Sequence, residues 1–244
     1  MKPARIELLG VPVDCLTMDE ALAHVEGMLK HHSPQTIIAV NPEKIMAARK
    51  DPFLLKVLQD SSLLIPDGIG VSLGAKFLGL GQTERVTGSD LMPHICELAA
   101  QTGRSIFVFG ATPLVNRRAV LALKHKFPTL KIAGHHHGFV KKTEMAALIE
   151  SINASSAEIL FVALGSPRQE RWMAEYLPQL NVKICQGVGG TLDVLAGFVN
   201  RAPENWRNAH LEWLYRLLAN PQRVWRQIAL PQFAFLLLKQ RAIG

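Results

Sequence analysis

The chain has 244 residues, 48% of them hydrophobic, a formal net charge of +7 and three cysteines. That length suits one large domain, or one domain with an appendage, and the apolar share is ample for a sizeable core. Cys15, Cys96 and Cys185 are odd in number and far apart, which excludes a disulfide framework and a zinc-type spacing and fits a reducing cytosol. Met1–Gly10 holds no signal-peptide apolar region, and no uninterrupted apolar run nears the roughly 20 residues that cross a bilayer. The expectation is a protein that starts in the cytoplasm and does not span a membrane.

In chain order, a strand is expected over Ile6–Leu9 and a helix over Met18–Lys30. Thr36–Val40 reads as a strand that runs into Asn41-Pro42-Glu43-Lys44. Ser62–Ile65 follows and runs into Pro66-Asp67-Gly68-Ile69-Gly70. A helix over Ser89–Gln101 precedes the strand Ser105–Phe109, the turn Gly110-Ala111-Thr112 and a helix over Pro113–Phe127. Next come a strand at Leu130–Ala133 and a helix at Lys142–Asn153. The strand Glu158–Leu164 closes on Gly165-Ser166-Pro167-Arg168-Gln169-Glu170, with a helix over Pro167–Tyr176. Val182–Cys185 is the last strand, followed by Gly187-Val188-Gly189-Gly190-Thr191-Leu192-Asp193. Several strands are apolar without alternation, as when helices cover both faces. The fold class expected over residues 1–200 is therefore α/β, an open, mostly parallel Rossmann-like sheet with helices on both faces. Ligands of such sheets sit beyond the carboxyl ends of the strands.

The pattern changes after about residue 200. Residues 204–220 space Trp206, His210, Trp213, Leu214, Leu217 and Leu218 as a helix does. Residues 222–242 form a second helical stretch, in which Pro231 is expected to break or kink the helix ahead of the apolar run Phe233–Leu238. Residues 201–244 thus read as a C-terminal basic amphipathic helical appendage. From Phe198 onward seven Arg or Lys stand against Glu204 and Glu212, so the segment suits an anionic partner: nucleic acid, lipid headgroups or phosphates. A helix pair docked on the core has the same periodicity. The arginine excess favours the membrane, because basic, Trp-bearing amphipathic helices lie at the headgroup boundary.

Glycines at strand ends let backbone N–H groups approach a ligand, and a helix starting there points its positive end at an anion. Gly110, Gly165, Gly187, Gly189 and Gly190 could together cradle a diphosphate. Tight αβ turns also use Gly-x-Gly-Gly with no ligand, Asp67 between Pro66 and Gly68 is a common turn aspartate, and Gln169-Glu170 could be only the polar first turn of a helix. His135-His136-His137 are consecutive and do not converge readily on one ion. No Asp-x-Asp pair offers a clamp for Mg²⁺ or Mn²⁺ on a nucleotide diphosphate. Walker, nucleophile-elbow and His-Glu-x-x-His patterns do not occur. Residue by residue, the chain reads as an α/β nucleotide-type binder with a basic helical tail.

Seven ordered blocks go further: Ala39-Val40-Asn41-Pro42-Glu43-Lys44, Asp67-Gly68-Ile69, Arg85-Val86-Thr87-Gly88-Ser89-Asp90-Leu91, Gly165 to Glu170, Gly187 to Asp193, Arg201-Ala202-Pro203 and Leu211-Glu212-Trp213-Leu214-Tyr215-Arg216. From about Ile6 to the C-terminal helices, the chain resembles the WecG/TagA/CpsF family of glycosyltransferases (glycosyltransferase family 26). The first and last blocks are most similar to the WecG branch; the TagA branch has a threonine where this chain has Ala39. The resemblance implies a GT-E type enzyme. It would perform inverting, metal-independent transfer of N-acetylmannosaminuronic acid or N-acetylmannosamine from a UDP-sugar to undecaprenyl-diphosphate-linked N-acetylglucosamine, in cell-surface polysaccharide biosynthesis. No cofactor and no nucleic-acid partner are implied, the location is the inner face of the cell membrane, and a homo-oligomer is left open.

By the same resemblance Asp67 is the general base, with Asn41 beside it. Gly110, Gly165, Gln169, Glu170, Gly187, Gly189, Gly190, Thr191 and Asp193 fall at the donor nucleotide. Arg85, Arg216, Arg223 and Arg226 fall at the acceptor or its diphosphate, and the appendage closes over the site at the membrane. Alternative readings are a UDP-glucose or other hexosyltransferase of the same family for exopolysaccharide, an NAD-dependent oxidoreductase using Gly187 to Gly190, and a non-catalytic membrane or nucleic-acid adaptor. Against the oxidoreductase, no acidic residue follows a second strand at the distance a ribose needs.

Overall fold

The structure, a computed structural model, describes residues 3–208, 212–219 and 228–243. The chain opens with a hairpin, β1 (Ala4–Leu8) and β2 (Val11–Cys15), paired antiparallel from Ala4↔Cys15 to Leu8↔Val11. Leu9 and Gly10 both have positive φ (55° and 78°), the geometry whose twist suits a two-residue hairpin turn. Sequence reading found β1 but not β2, where Pro12 and Asp14 weaken the strand pattern. Asp14 is almost fully buried and accepts from Arg5 through both carboxylate oxygens, at 2.7 and 2.9 Å. Its Oδ2 also accepts from the Leu64 backbone N–H at 2.8 Å. The hairpin thereby covers the outer edge of the main sheet, satisfying a donor that an open edge would expose.

The main sheet has six parallel strands: β3 (Gln35–Val40), β4 (Leu63–Pro66), β5 (Ser105–Gly110), β6 (Lys131–His136), β7 (Ile159–Ala163) and β8 (Ile184–Gly187), in the order β4-β3-β8-β7-β5-β6. The helices are α1 (Met18–Met28), α2 (Pro42–Ala48), α3 (Pro52–Asp60), α4 (Ile69–Phe77), α5 (Gly88–Thr102), α6 (Pro113–Lys126), α7 (Met145–Ala154), α8 (Arg168–Tyr176), α9 (Thr191–Leu195), α10 (Glu204–Asn208), α11 (Glu212–Ala219) and α12 (Ala229–Ile243). Strand residues alternate between two buried layers. Phe107, Phe109, Leu160 and Val162 pack with α2, α3, α7 and α8 on one face, and Ile106, Val108, Ile159 and Phe161 with α1, α5 and α6 on the other. Each fully buried side chain of this size contributes roughly 1.5–3 kcal/mol. The α/β reading of the sequence holds, with β1 moved out of the main sheet into its own hairpin.

The tail is helical where it is described. In α12, Phe233 and Leu237 are buried in the core, against α4. A Cβ on Gly74 would stand 3.1 Å from Leu237 Cδ1 and 3.3 Å from Phe233 Cζ, so the small residue makes the seat for this helix. Pro231 lies in the first turn of α12, where no intrahelical N–H bond is lost. The described helix starts two residues before Pro231 and runs through to Ile243; residues 220–227, over which the earlier part of the expected helical stretch falls, lie outside the described residues. Among the described residues, no helix is long and apolar enough to cross a membrane.

Candidate active site

The carboxyl ends of β3, β4, β7 and β8 open onto one cleft of ≈ 540 Å³. Asn41 comes from the end of β3, Asp67 from the end of β4, Gly165 from the turn after β7 and Gln169 from the first turn of α8, Gly187, Gly189 and Gly190 from β8 and its turn, and Thr191 from the start of α9. Gly88 and Ser89, at the start of α5, form another wall. Ile228, Ala229 and Gln232 bring the start of α12 to the rim.

Local chemistry explains why these residues meet. Asn41 is the N-cap of α2: its backbone is extended, and its Oδ1 accepts from the Lys44 N–H at 2.8 Å. With Oδ1 committed to the cap, Nδ2 is the group that Asn41 can offer a ligand. The Asp67 N–H donates to the Val40 carbonyl at 2.8 Å, carrying the β3–β4 pairing one residue past Val40↔Pro66. Gly68 follows with φ 91°, a conformation that side-chain-bearing residues avoid, and lets the chain turn into α4.

Gln169 organises the other side. Its Oε1 accepts from the Gly189 N–H at 3.1 Å, and its Nε2 donates to Glu170 Oε1 at 3.1 Å. A Cβ on Gly187 would lie 2.7 Å from Gln169 Nε2, so glycine at 187 is what admits this amide. Thr191 donates its hydroxyl to the Val188 carbonyl at 2.7 Å and sits 3.3 Å from the Ser89 hydroxyl.

Other residues singled out from the sequence fall elsewhere. Glu170 is wholly buried and lies beneath the cleft lining, with Oε1 2.6 Å from Lys44 Nζ. Gly110 is not part of the lining; its φ is 126°, and a Cβ there would stand 2.3 Å from the Ala163 carbonyl oxygen, so close packing of β5 on β7 accounts for it. Asp193 is also off the lining, on α9, where burial pushes its carboxyl above the ordinary value against the pull of a backbone hydrogen bond. Arg85 does not line the cleft either. It pairs with Glu212 of α11 at 3.2 Å and lies 3.9 Å from Asp90, and Asp90 is in turn bound by Arg201. Burial alone would raise the Asp90 carboxyl; hydrogen bonds from Arg201 and Thr87, with the charges of Arg201 and Arg85, hold it below its ordinary value. Arg216 lies on α11; Arg223 and Arg226 lie outside the described residues.

The consecutive histidines turn to separate partners. His135 Nδ1 meets Asn116 Oδ1 at 2.7 Å, His136 Nδ1 meets the His137 carbonyl at 2.8 Å, and His137 Nδ1 accepts from the Phe139 N–H at 3.3 Å. Burial, then the charges of Lys124, His136 and Arg117, hold His135 below the ordinary imidazole value.

Sequence reading passed over the side chains of Lys44, Ser89 and Gln232 as site residues. The only mark that Lys44 and Ser89 carry in the sequence is their place just after a strand or at a helix start, and Gln232, on a tail helix, carries none. The assembled cleft has a carboxylate at Asp67, an amide at Asn41, and a glycine turn whose Gly190 N–H can meet an anion.

The sequence model described as Glycosyl transferase WecG/TagA/CpsF family matches residues 6–244. Curated relatives include an N-acetylglucosaminyldiphosphoundecaprenol N-acetyl-beta-D-mannosaminyltransferase of Bacillus spizizenii, 36% identical over 89% of this chain and 84% of that protein. Proteins of the same name from Staphylococcus aureus (strain MRSA252) and Bacillus subtilis (strain 168) are 30% and 34% identical. They cover 98% and 88% of this chain and 94% and 85% of their own lengths.

Proposed function

The chain belongs to the WecG/TagA/CpsF family of glycosyltransferases, and on that premise we propose that it moves N-acetylmannosamine or N-acetylmannosaminuronic acid from a UDP-sugar to N-acetylglucosaminyl-diphosphoundecaprenol. One observation carries this: Asp67 and Asn41, from adjacent strands, share a cleft with the glycine turn after β8. A base and an anion cradle in one cavity suit a displacement in which a neutral hydroxyl attacks and a nucleotide diphosphate leaves.

In that reaction the acceptor hydroxyl oxygen bonds to the anomeric carbon as the bond to the UDP oxygen breaks. The hydroxyl proton passes to the Asp67 carboxylate, and the electron pair leaves with UDP. A positioned base contributes about 10²–10⁴-fold. Asn41, through Nδ2, orients the acceptor or the transferred sugar. The turn from Gly187 to Gly190 meets the leaving diphosphate with the Gly190 N–H, since the Val188 and Gly189 N–H groups go to the Val162 carbonyl and Gln169, and Arg216, Arg223 and Arg226 add positive charge from the tail. On this reading no metal takes part.

The substrate's lipid would bring the cleft to the cytoplasmic face of the membrane, with residues 201–244 as the contacting appendage. Phe235 and Leu238 on α12 are 66% and 60% exposed, an apolar surface suited to the acyl boundary. The direct test is turnover of a panel of UDP-hexosamines on a short-chain lipid-diphosphate acceptor. Transfer only from UDP-glucose would replace the proposal with the exopolysaccharide reading.

A further inference from the structure

Under the cleft runs a hydrogen-bonded chain that joins its two sides. Asn41 Oδ1 accepts from the Lys44 N–H, Lys44 Nζ donates to Glu170 Oε1, Gln169 Nε2 donates to the same oxygen, and Gln169 Oε1 accepts from the Gly189 N–H. Lys44 and Glu170 are 126 residues apart in sequence and almost wholly buried, at 6% and 0% exposure. Glu170 Oε2 has no hydrogen-bond partner among the described residues. A buried ion pair with one oxygen unsatisfied is a poor device for stability, since an apolar pair of equal volume often does as well or better.

The pair's geometry points instead to orientation. An amide carries a donor and an acceptor on opposite sides and can sit either way round. An ionised carboxylate only accepts, so it turns Gln169 Nε2 toward itself, and Gln169 Oε1 must then face Gly189. The reversed amide would set Nε2 against the Gly189 N–H, donor against donor.

We propose that Lys44 and Glu170 are positioning residues for donor binding: Lys44 neutralises Glu170, Glu170 sets the direction of the Gln169 amide, and that amide holds the Gly187 to Gly190 turn in the shape that receives the donor diphosphate. The inference rests on the glycosyltransferase reading and adds to it the two side chains that preorganise its nucleotide site. Neither acts on the reacting atoms.

The charge-swap variant Lys44→Glu/Glu170→Lys separates this role from a merely structural one. It keeps a buried pair but replaces the acceptor beside Gln169 with a donor, so the amide should reverse. Thermal unfolding and UDP binding by calorimetry are measured together on the full chain. The expected result is a folded protein whose unfolding temperature exceeds that of Glu170→Met, with UDP affinity weakened on the order of tenfold, as the loss of one well-placed hydrogen bond allows. Swap protein that regains wild-type UDP affinity along with its stability overturns the proposal.

A second variant covers the case in which the swap does not fold. Lys44→Met/Glu170→Met removes both charges at similar volume. Hydrogen exchange should then speed up at the Gly187 to Gly190 amides while the amides of α3 and α7 stay protected, and unchanged exchange at the turn overturns the proposal. Wild-type protein that binds no UDP would overturn the nucleotide site and this inference with it, an outcome distinct from either variant result.

Discussion

The backbone N–H of Asp67 donates to the carbonyl of Val40 at 2.8 Å, so the residue proposed as base is stitched to the strand whose next residue is Asn41. A carboxylate on a free loop would need ordering at each turnover. Here the sheet holds the backbone that carries it.

Asp67→Asn is nearly isosteric and keeps that backbone bond. It should lower turnover by about two orders of magnitude while leaving UDP affinity close to wild type, the pattern of a group that acts mainly in the transition state. Steady-state kinetics beside calorimetry check this. Near-normal turnover would reduce Asp67 to a turn residue.

Chelation is the next check. With the leaving diphosphate met by the Gly190 N–H and arginines, turnover in excess EDTA should equal turnover without it. Activity that disappears and returns with Mn²⁺ would require a metal site that this account does not contain.

The strand ends carrying the site were legible in the sequence, and the way they are tied together was not. Continuous apolar runs such as Ser105–Phe109 are read as buried strands because both faces must be covered, and the polar blocks after them follow. The helix α4 was missed because Gly70 and Gly74 weaken its pattern. Gly74 leaves space for Phe233 and Leu237 of α12 and Gly70 for Pro42 of α2, and a single-segment reading does not contain those partners. The Lys44–Glu170 pair escaped for the same cause. The neighbours of Arg85, which the resemblance sets at the acceptor or its diphosphate, were equally hidden: Glu212 comes from α11, far along the chain, and Asp90 from α5.

Phe233, 4% exposed, anchors α12. Phe233→Ala should destabilise the protein by roughly 3–5 kcal/mol if the site does not relax. It should also loosen the rim that Ala229 and Gln232 supply. Thermal unfolding and turnover measure the two effects, and a variant with unchanged stability would show that α12 is not seated as described.

The Asp90 cluster gives a pH prediction. A carboxyl held below its ordinary value contributes stability above its unfolded-state pKa, about 3.9, and loses that contribution as pH falls through the lower folded value. Wild type should therefore unfold at a higher temperature than Asp90→Asn at pH 7, and the gap should close in acid below about pH 4. A gap that widens in acid would mean the carboxyl is not held in its charged form.

The central claim is that one cleft transfers a sugar from UDP to a lipid-linked N-acetylglucosamine. The most direct measurement is formation of the labelled disaccharide-diphospholipid from UDP-N-acetylmannosamine or its uronate and a short-chain acceptor, run with wild type and Asp67→Asn side by side. Wild type should give product and free UDP in equal amounts, and the variant about a hundredfold less of both. Folded wild type that yields no product from either donor, or a variant that yields as much, would contradict that claim.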